Sequence, residues 1–536
     1  MNYDSMYHPY PSFRAPTYAR KGMVATSQPL AAQAGLDILK QGGNAIDAAI
    51  ATAAALTVVE PCSNGIGGDA FALVWTGGKL HGLNSSGPAP QSISIDGVRA
   101  AGHNVMPSYG AIPVTVPGAP AAWAELSRKF GKLSLAEVLQ PAIRYAKEGY
   151  PVSPIVAHNW AKSFAQYEQV LKGDIFKPWF DTFAPGGRPP AAGEIWRSST
   201  HAHTLELIGA SEARAFYEGE LAERMDAFIS AAGGYLTADD LSTYRPEWVN
   251  PISTSYRGHE VWEIPPNGQG LVALLALRMM SGFEDLQPNT VDTYHKQIEA
   301  MKLAFADGHH YITDPARMKL DTNSLLSTEY TNLRRGLIGE RARLPEVGKP
   351  VGGGTVYLAT ADGEGNMVSF IQSNYMQFGS GLVVPGTGIA LQNRGRDFSL
   401  DENHANRLEP GKRTYHTIIP GFLTRDGEAV GPFGVMGGIM QPQGHLQTIM
   451  NTLDFGLHPQ AALDAPRWQW VKDNTVWVES GFSTAVAQAL SRRGHDIQIA
   501  LDPSTFGRGQ IIWRDPHTGV LCGGTDSRAD GIAAAW

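Results

Sequence analysis

Two cysteines in 536 residues, Cys62 and Cys522, are too few for a disulfide framework and form no metal-type cluster. Blocks of lysine and arginine are missing too. With a net charge of −8, nucleic acid is excluded as the main ligand. No apolar run is long enough to cross a bilayer, since the longest, Ala45–Val59, is interrupted by Asp47. The opening stretch to Gly22 has no continuous apolar segment of secretory type. These absences predict a soluble, cytoplasmic protein with no membrane or nucleic-acid partner.

What is present is a large core and many turns. Hydrophobic residues make up 43% and charged residues 18%, and the 60 glycines and 35 prolines are dispersed rather than concentrated in one tract. Pro29 suits a first helical turn, with Ala32, Leu36 and Leu39 on one face of a helix reaching Lys40. Gly42 and Gly43 stop it, and Asn44 can cap a second, buried helix over Ala45–Val58. The glycine turn Ser63–Asp69 leads into a core strand over Ala70–Trp75. It lacks the spacing of a phosphate loop, so close backbone packing is its expected role. Leu135–Glu148 and Thr293–Phe305 read as amphipathic helices, and Pro185–Gly193 as an exposed loop. Alternating runs at Val356–Ala361 and Met367–Ile371 predict strands, and Gln443–Leu453 and Thr484–Arg493 predict covering helices.

Chemistry concentrates at Lys349-Pro-Val-Gly-Gly-Gly354, which meets Thr355. Three glycines before a threonine also describe a plain linker entering a strand. They equally suit self-cleavage, because glycine lets the backbone strain and approach closely. The Thr355 hydroxyl would attack the Gly354 carbonyl, and water would open the resulting ester. The freed α-amine, with a reference pKa of ~7.7–8.0, can then act as base for its own hydroxyl. Such chemistry needs no metal and no cofactor. His309-His310 and His201-Ala-His203 lack ligand spacing and read as surface histidines, and Lys302 reads as a solvated lysine on a packed helix. Ser85-Ser86-Gly87 makes no nucleophile elbow.

Several segments closely resemble the γ-glutamyltranspeptidase family: Gly22–Pro29, Gly42–Ala49, Val59–Gly68, Val116–Ala119, Leu139–Ile143, Leu236–Leu241, Ile298–Asp307, Gly379–Gly381 and Gly437-Gly438. The resemblance runs from about residue 20 to Gly531. It implies an α/β fold, a four-layer α-β-β-α sandwich of the N-terminal-nucleophile hydrolase type. It also implies cleavage at Gly354–Thr355 into a large subunit, 1–354, and a small catalytic subunit, 355–536. The two would stay together as a heterodimer, with a dimer of heterodimers left open. By resemblance, Thr355 falls on the nucleophile, Ser373 on a supporting hydroxyl, and Gly437 and Gly438 on the oxyanion-hole pair. Asp397 falls on the acid that holds a substrate α-amino group. Asp526–Gly531 resembles a structural C-terminal turn.

The departures bear on substrate. Ser86 stands about where the family carries its carboxylate-binding arginine, and His416 and Thr417 replace two assisting hydroxyls. Arg394 stands where the family has Glu or Gln, and Tyr375 where it has Asn. A guanidinium there favours a carboxylate and repels an ammonium. The resemblance therefore points to the family's side branches, and first to a small acidic monoamide such as oxamate, with Tyr375 and Tyr415 narrowing the pocket. The alternatives are a glutathione hydrolase or γ-glutamyltransferase with Arg394 merely paired to Asp397, a glutaryl- or cephalosporin-type acylase, and an unprocessed binding protein.

Overall fold

The computed structural model describes residue 10, residues 14–344 and residues 354–536. The linker Lys349–Gly353 lies outside the described residues.

Two seven-stranded antiparallel sheets face each other. One runs Thr17–Ala19, Leu521–Thr525, Arg508–Arg514, Glu428–Met436, Gly421–Arg425, His259–Glu263, Ile252–Tyr256. The other runs Ile532–Ala535, Gly22–Thr26, Gly354–Asp362, Met367–Tyr375, Asp69–Thr76, Lys79–Ser85, Glu247–Val249. Side-chain alternation explains the layering. From the strand Gly354–Asp362, Tyr357, Ala359 and Ala361 enter the core between the sheets, alongside Phe422, Met436 and Ile512 of the opposite sheet. Val356 and Leu358 of the same strand point the other way, into a core built with the helices Pro29–Lys40, Ala45–Val59 and Ala119–Phe130. Beyond the first sheet, Leu423, Phe433 and Ile511 pack against Gly270–Met280, Val291–Tyr311 and Met440–Leu453. The result is the expected four-layer α-β-β-α sandwich.

Local sequence accounts for several boundaries. The Gln28 side chain accepts from the Leu30 and Ala31 N–H groups at the start of Pro29–Lys40. Asn44 and Asp47 form a reciprocal capping box, and every residue of Ala45–Val59 is buried. The stretch predicted as one helix over Leu135–Glu148 is instead two, Leu135–Val138 and Gln140–Glu148. Pro141 lies in the first turn of the second, where a missing N–H costs nothing. Lys302 also departs from expectation. It is buried and ion-paired with Glu299 at 2.7 Å, and donates to Asn474 Oδ1 at 2.9 Å. His201 is likewise buried rather than at the surface, with Nδ1 2.8 Å from the Ser198 hydroxyl. Among the described residues no group of three or more His, Cys, Asp or Glu could hold a metal. No helix among them is long and apolar enough to cross a membrane.

Candidate active site

Thr355 lies at the start of Gly354–Asp362, an interior strand of its sheet, buried, at a break in the ladder between Gly354 and Val356. Its hydroxyl donates to Ser373 Oγ at 3.2 Å. Ser373 Oγ in turn accepts the Tyr375 N–H at 2.8 Å, which fixes its lone pairs toward this corner. On the other side, Gln441 Nε2 lies 3.5 Å from Thr355 Oγ1, while Gln441 Oε1 accepts the Ile419 N–H at 2.9 Å.

Gln441 belongs to the first turn of Met440–Leu453, and the chain enters that helix through Gly437 (φ +135°) and Gly438 (φ +61°). Both sit in the region that favours glycine. A Cβ on Gly437 would also lie 3.0 Å from Gly507 Cα. Gly437 O accepts from the Met440 N–H, which fixes the peptide unit carrying the Gly438 N–H. Gly438 O accepts from Gln269 Nε2 at 2.9 Å, and the same nitrogen donates to Thr417 O at 2.6 Å. A helix N-terminus with pinned peptide units is suited to developing negative charge.

A second corner adjoins through Tyr375. Its ring lies against the Arg394 guanidinium, with Arg394 Cζ 4.1 Å from the ring centre. Its hydroxyl donates to Asp397 Oδ1 at 2.5 Å. Arg394 Nη1 donates to Thr417 Oγ1 at 2.9 Å and to Asp397 Oδ2 at 3.4 Å. Arg394 Nε and Nη2 are buried with no hydrogen-bond partner among the described residues. These two nitrogens form one edge of the planar group, the edge that takes a carboxylate in fork fashion. Burial pulls Arg394 below its usual range, with Asp397 opposing. Burial pushes Asp397 up, while Arg394 pulls it down.

A third corner is closed on itself. Asp69 Oδ1 accepts from the Gly87 and Gly118 N–H groups and from Gln392 Nε2, and Oδ2 lies 3.0 Å from His416 Nε2. His416 Nδ1 accepts the Ile418 N–H. Both ring nitrogens are therefore committed within the protein. Burial drives the imidazole well below its ordinary range, which keeps it neutral. Ser86 is buried and bonded to Asn84 Oδ1 at 2.8 Å, and the Tyr415 hydroxyl donates to Gln269 Oε1 at 2.9 Å. The glycine turn before Asp69 packs as expected: Cβ atoms on Gly67 and Gly68 would meet Ala390 O and Ser373 O.

The expected set thus converges: Thr355, Ser373, Gly437, Gly438, Tyr375, Arg394, Asp397 and Thr417 form one continuous network. Gln269 and Gln441 join it without having been expected, and the expected His416 pairs instead with Asp69, likewise unexpected, in the closed corner. The available signal was their polarity within apolar or glycine-rich surroundings, as in Gly437-Gly-Ile-Met-Gln441.

Comparison with known proteins decides the family. The model for Gamma-glutamyltranspeptidase matches residues 31–536. The chain belongs to the γ-glutamyltranspeptidase family. It is accordingly an N-terminal-nucleophile hydrolase acting on amides. Its relatives include a glutathione hydrolase-like proenzyme, YwrD, of Bacillus subtilis strain 168, 38% identical over 96% of this chain and 98% of that protein. An oxamate amidohydrolase proenzyme of Klebsiella pneumoniae is 34% identical over 96% of this chain and 98% of that protein. Among solved structures, cephalosporin acylase from Bacillus halodurans superposes with a TM-score of 0.96 at 65% identity, covering 100% of this chain and 99% of that one.

Proposed function

We propose that this family member cuts itself before Thr355, and that Thr355 then hydrolyses the amide of a small carboxylate-bearing substrate, with oxamate the leading candidate. In self-cleavage, Thr355 Oγ adds to the Gly354 carbonyl and the Gly354–Thr355 C–N bond breaks. An ester and a free amine result, and water releases Gly354 as a carboxylate. In turnover, the Thr355 amine takes the hydroxyl proton as Oγ attacks the substrate carbonyl. It passes that proton to the leaving nitrogen, and water then cleaves the acyl ester. Ser373 supports the nucleophile, and the Gly437-Gly438 turn receives the oxyanion.

The observation that carries the substrate reading is the open Nε/Nη2 edge of buried Arg394. A buried unpaired donor costs about 1–3 kcal/mol, more when charged, so an arrangement that leaves two is best explained by a ligand that pairs them. Tyr375 links that edge to the Ser373–Thr355 pair, its N–H bonded to Ser373 and its ring over Arg394. Asp397 is committed to Tyr375 and Arg394, which speaks against γ-glutamyl substrates. The likeness to the Bacillus halodurans enzyme favours a second reading. The same edge would take the terminal carboxylate of a dicarboxylic acyl group, in an acylase of glutaryl-cephalosporin type.

The cut pieces would remain one heterodimeric body. The strand Gly354–Asp362 pairs with Gly22–Thr26, and Met367–Tyr375 pairs with Asp69–Thr76, so both ladders cross the cleavage boundary. The same reading puts the enzyme in the cytoplasm.

Intact mass tests processing, with fragments expected to begin at Met1 and Thr355. Ammonia release from oxamate, run beside a glutaryl and a γ-glutamyl anilide, tests substrate. Thr355→Ala should abolish both cleavage and turnover. A Thr355→Ala chain that still splits after Gly354 would sink the mechanism, and a single uncut wild-type chain would return the protein to the binding class.

A further inference from the structure

Tyr375 ends its strand with φ +75°, a left-handed conformation that a bulky non-glycine residue rarely adopts. Such an outlier persists where surrounding contacts over-determine it. Here three do. The backbone N–H donates to Ser373 Oγ at 2.8 Å, the ring covers Arg394, and the hydroxyl donates to Asp397 Oδ1 at 2.5 Å. One residue therefore ties the nucleophile's support to the carboxylate-seeking guanidinium.

Consider an acid whose carboxylate sits on the open edge of Arg394. An ammonium on the neighbouring carbon would need an anionic or carbonyl acceptor close by. Asp397 is the carboxylate within reach of Arg394, and Tyr375 and Arg394 occupy its two oxygens. Thr417 Oγ1 already accepts from Arg394, and Asp69 already receives four donors. Burial and the adjacent Asp397 hold the Tyr375 hydroxyl well above its ordinary range, so it stays a proton donor. An ammonium would meet a guanidinium, with both oxygens of Asp397 already taken.

Resting on the carboxylate reading above, we infer that Tyr375 is the specificity-determining residue of this site: it caps Asp397 and so selects acyl groups without an α-ammonium.

Glutaryl and γ-glutamyl p-nitroanilides form a matched pair that differs only in the α-ammonium, as do glutarate and L-glutamate. Wild type should favour the des-amino member of each pair by about tenfold or more, in kcat/KM and in calorimetric affinity of the processed protein. Tyr375→Phe keeps the ring on Arg394 and frees Asp397 Oδ1, so that preference should shrink by about tenfold while self-cleavage persists. An unchanged preference, or a wild type favouring the amino acid, overturns the inference. Should Tyr375→Phe fail to fold, Asp397→Asn serves. The inference expects the preference to stay within about threefold of wild type, and a selective loss of about tenfold on the γ-glutamyl member would show Asp397 holding the ammonium. If neither acid binds and no amide is hydrolysed, the carboxylate reading itself fails. If the acids bind with no discrimination, only the role of Tyr375 fails.

Discussion

Arg394 and Arg467 are both fully buried arginines, each pulled below its usual range by burial, yet the protein treats them oppositely. Arg467 spends its terminal nitrogens on Phe506 O, Gly507 O, Leu463 O and Asp526 Oδ2, at 2.8–3.3 Å. Asp526 is also tied to Arg528, which grips Glu479, so the cluster is a closed ionic knot beneath the C-terminal strands. Arg394 has one near carboxylate at 3.4 Å and a whole edge unpaired. The first pattern is what a structural ion pair looks like, since a buried charge is tolerated when its hydrogen bonds are complete. The second is what a binding group looks like before its ligand arrives. Equal burial therefore says little about role; completeness of pairing separates the two.

The largest expected effect falls on the closed knot. Arg467→Met would take their donor from the Phe506 and Gly507 carbonyls and one of two arginine partners from Asp526 and from Leu463 O, which keep Arg528. Breaking a buried pair this way costs about 3–5 kcal/mol. A steep fall in Tm, or loss of soluble protein, is expected, with self-cleavage failing only because the fold fails. Unchanged Tm would erase the contrast on its structural side.

Arg394→Met should behave in the reverse manner. The ion pair it breaks is long, at 3.4 Å, and Asp397 keeps the Tyr375 hydroxyl, so Tm should fall far less than for Arg467→Met and self-cleavage should hold. Amide hydrolysis should not. Loss of a charge-assisted fork is worth about 3 kcal/mol, so kcat/KM for carboxylate-bearing amides should drop roughly a hundredfold. If Arg394→Met unfolds the protein while activity per folded molecule stays level, Arg394 is a structural residue like Arg467.

That contrast also marks how far sequence reasoning reaches. The sandwich was legible through motif resemblance, and so was the gathering of Thr355, Ser373, Arg394 and Asp397 in one candidate site, because the spacing at Gly437-Gly438 encodes a local backbone need. The capping of Ala45–Val59 was legible from Asn44 alone. Pairing state was not. At the level of sequence Arg394 either contacts Asp397 or awaits a carboxylate; in the fold Nη1 does the first while the opposite edge remains open. Lys302 was misread for the same reason. Its partner Asn474 comes from a hairpin distant in sequence, and helical periodicity carries no information about which face that hairpin covers. Gln441 escaped notice because a glutamine in a helix's first turn has no distinguishing pattern until the strand bearing Thr355 is laid beside it.

The smallest expected effect sharpens the comparison most, because it alters how Arg394 is held rather than whether it is there. Thr417 Oγ1 accepts from Arg394 Nη1 at 2.9 Å, the best-formed bond the guanidinium makes. Thr417→Val keeps the branched shape and removes the acceptor, at a cost of about 1.5 kcal/mol for one hydrogen bond to a charged group. The open edge would then lose its fixed direction while the nucleophile, Ser373 and the glycine turn stay as they are. KM for a carboxylate-bearing amide should rise about tenfold with kcat close to wild type, because the loss falls on ground-state and transition-state binding alike. A fall in kcat with KM unmoved would place Thr417 in the service of the oxyanion turn instead, through the Gln269 side chain that joins Thr417 O to Gly438 O.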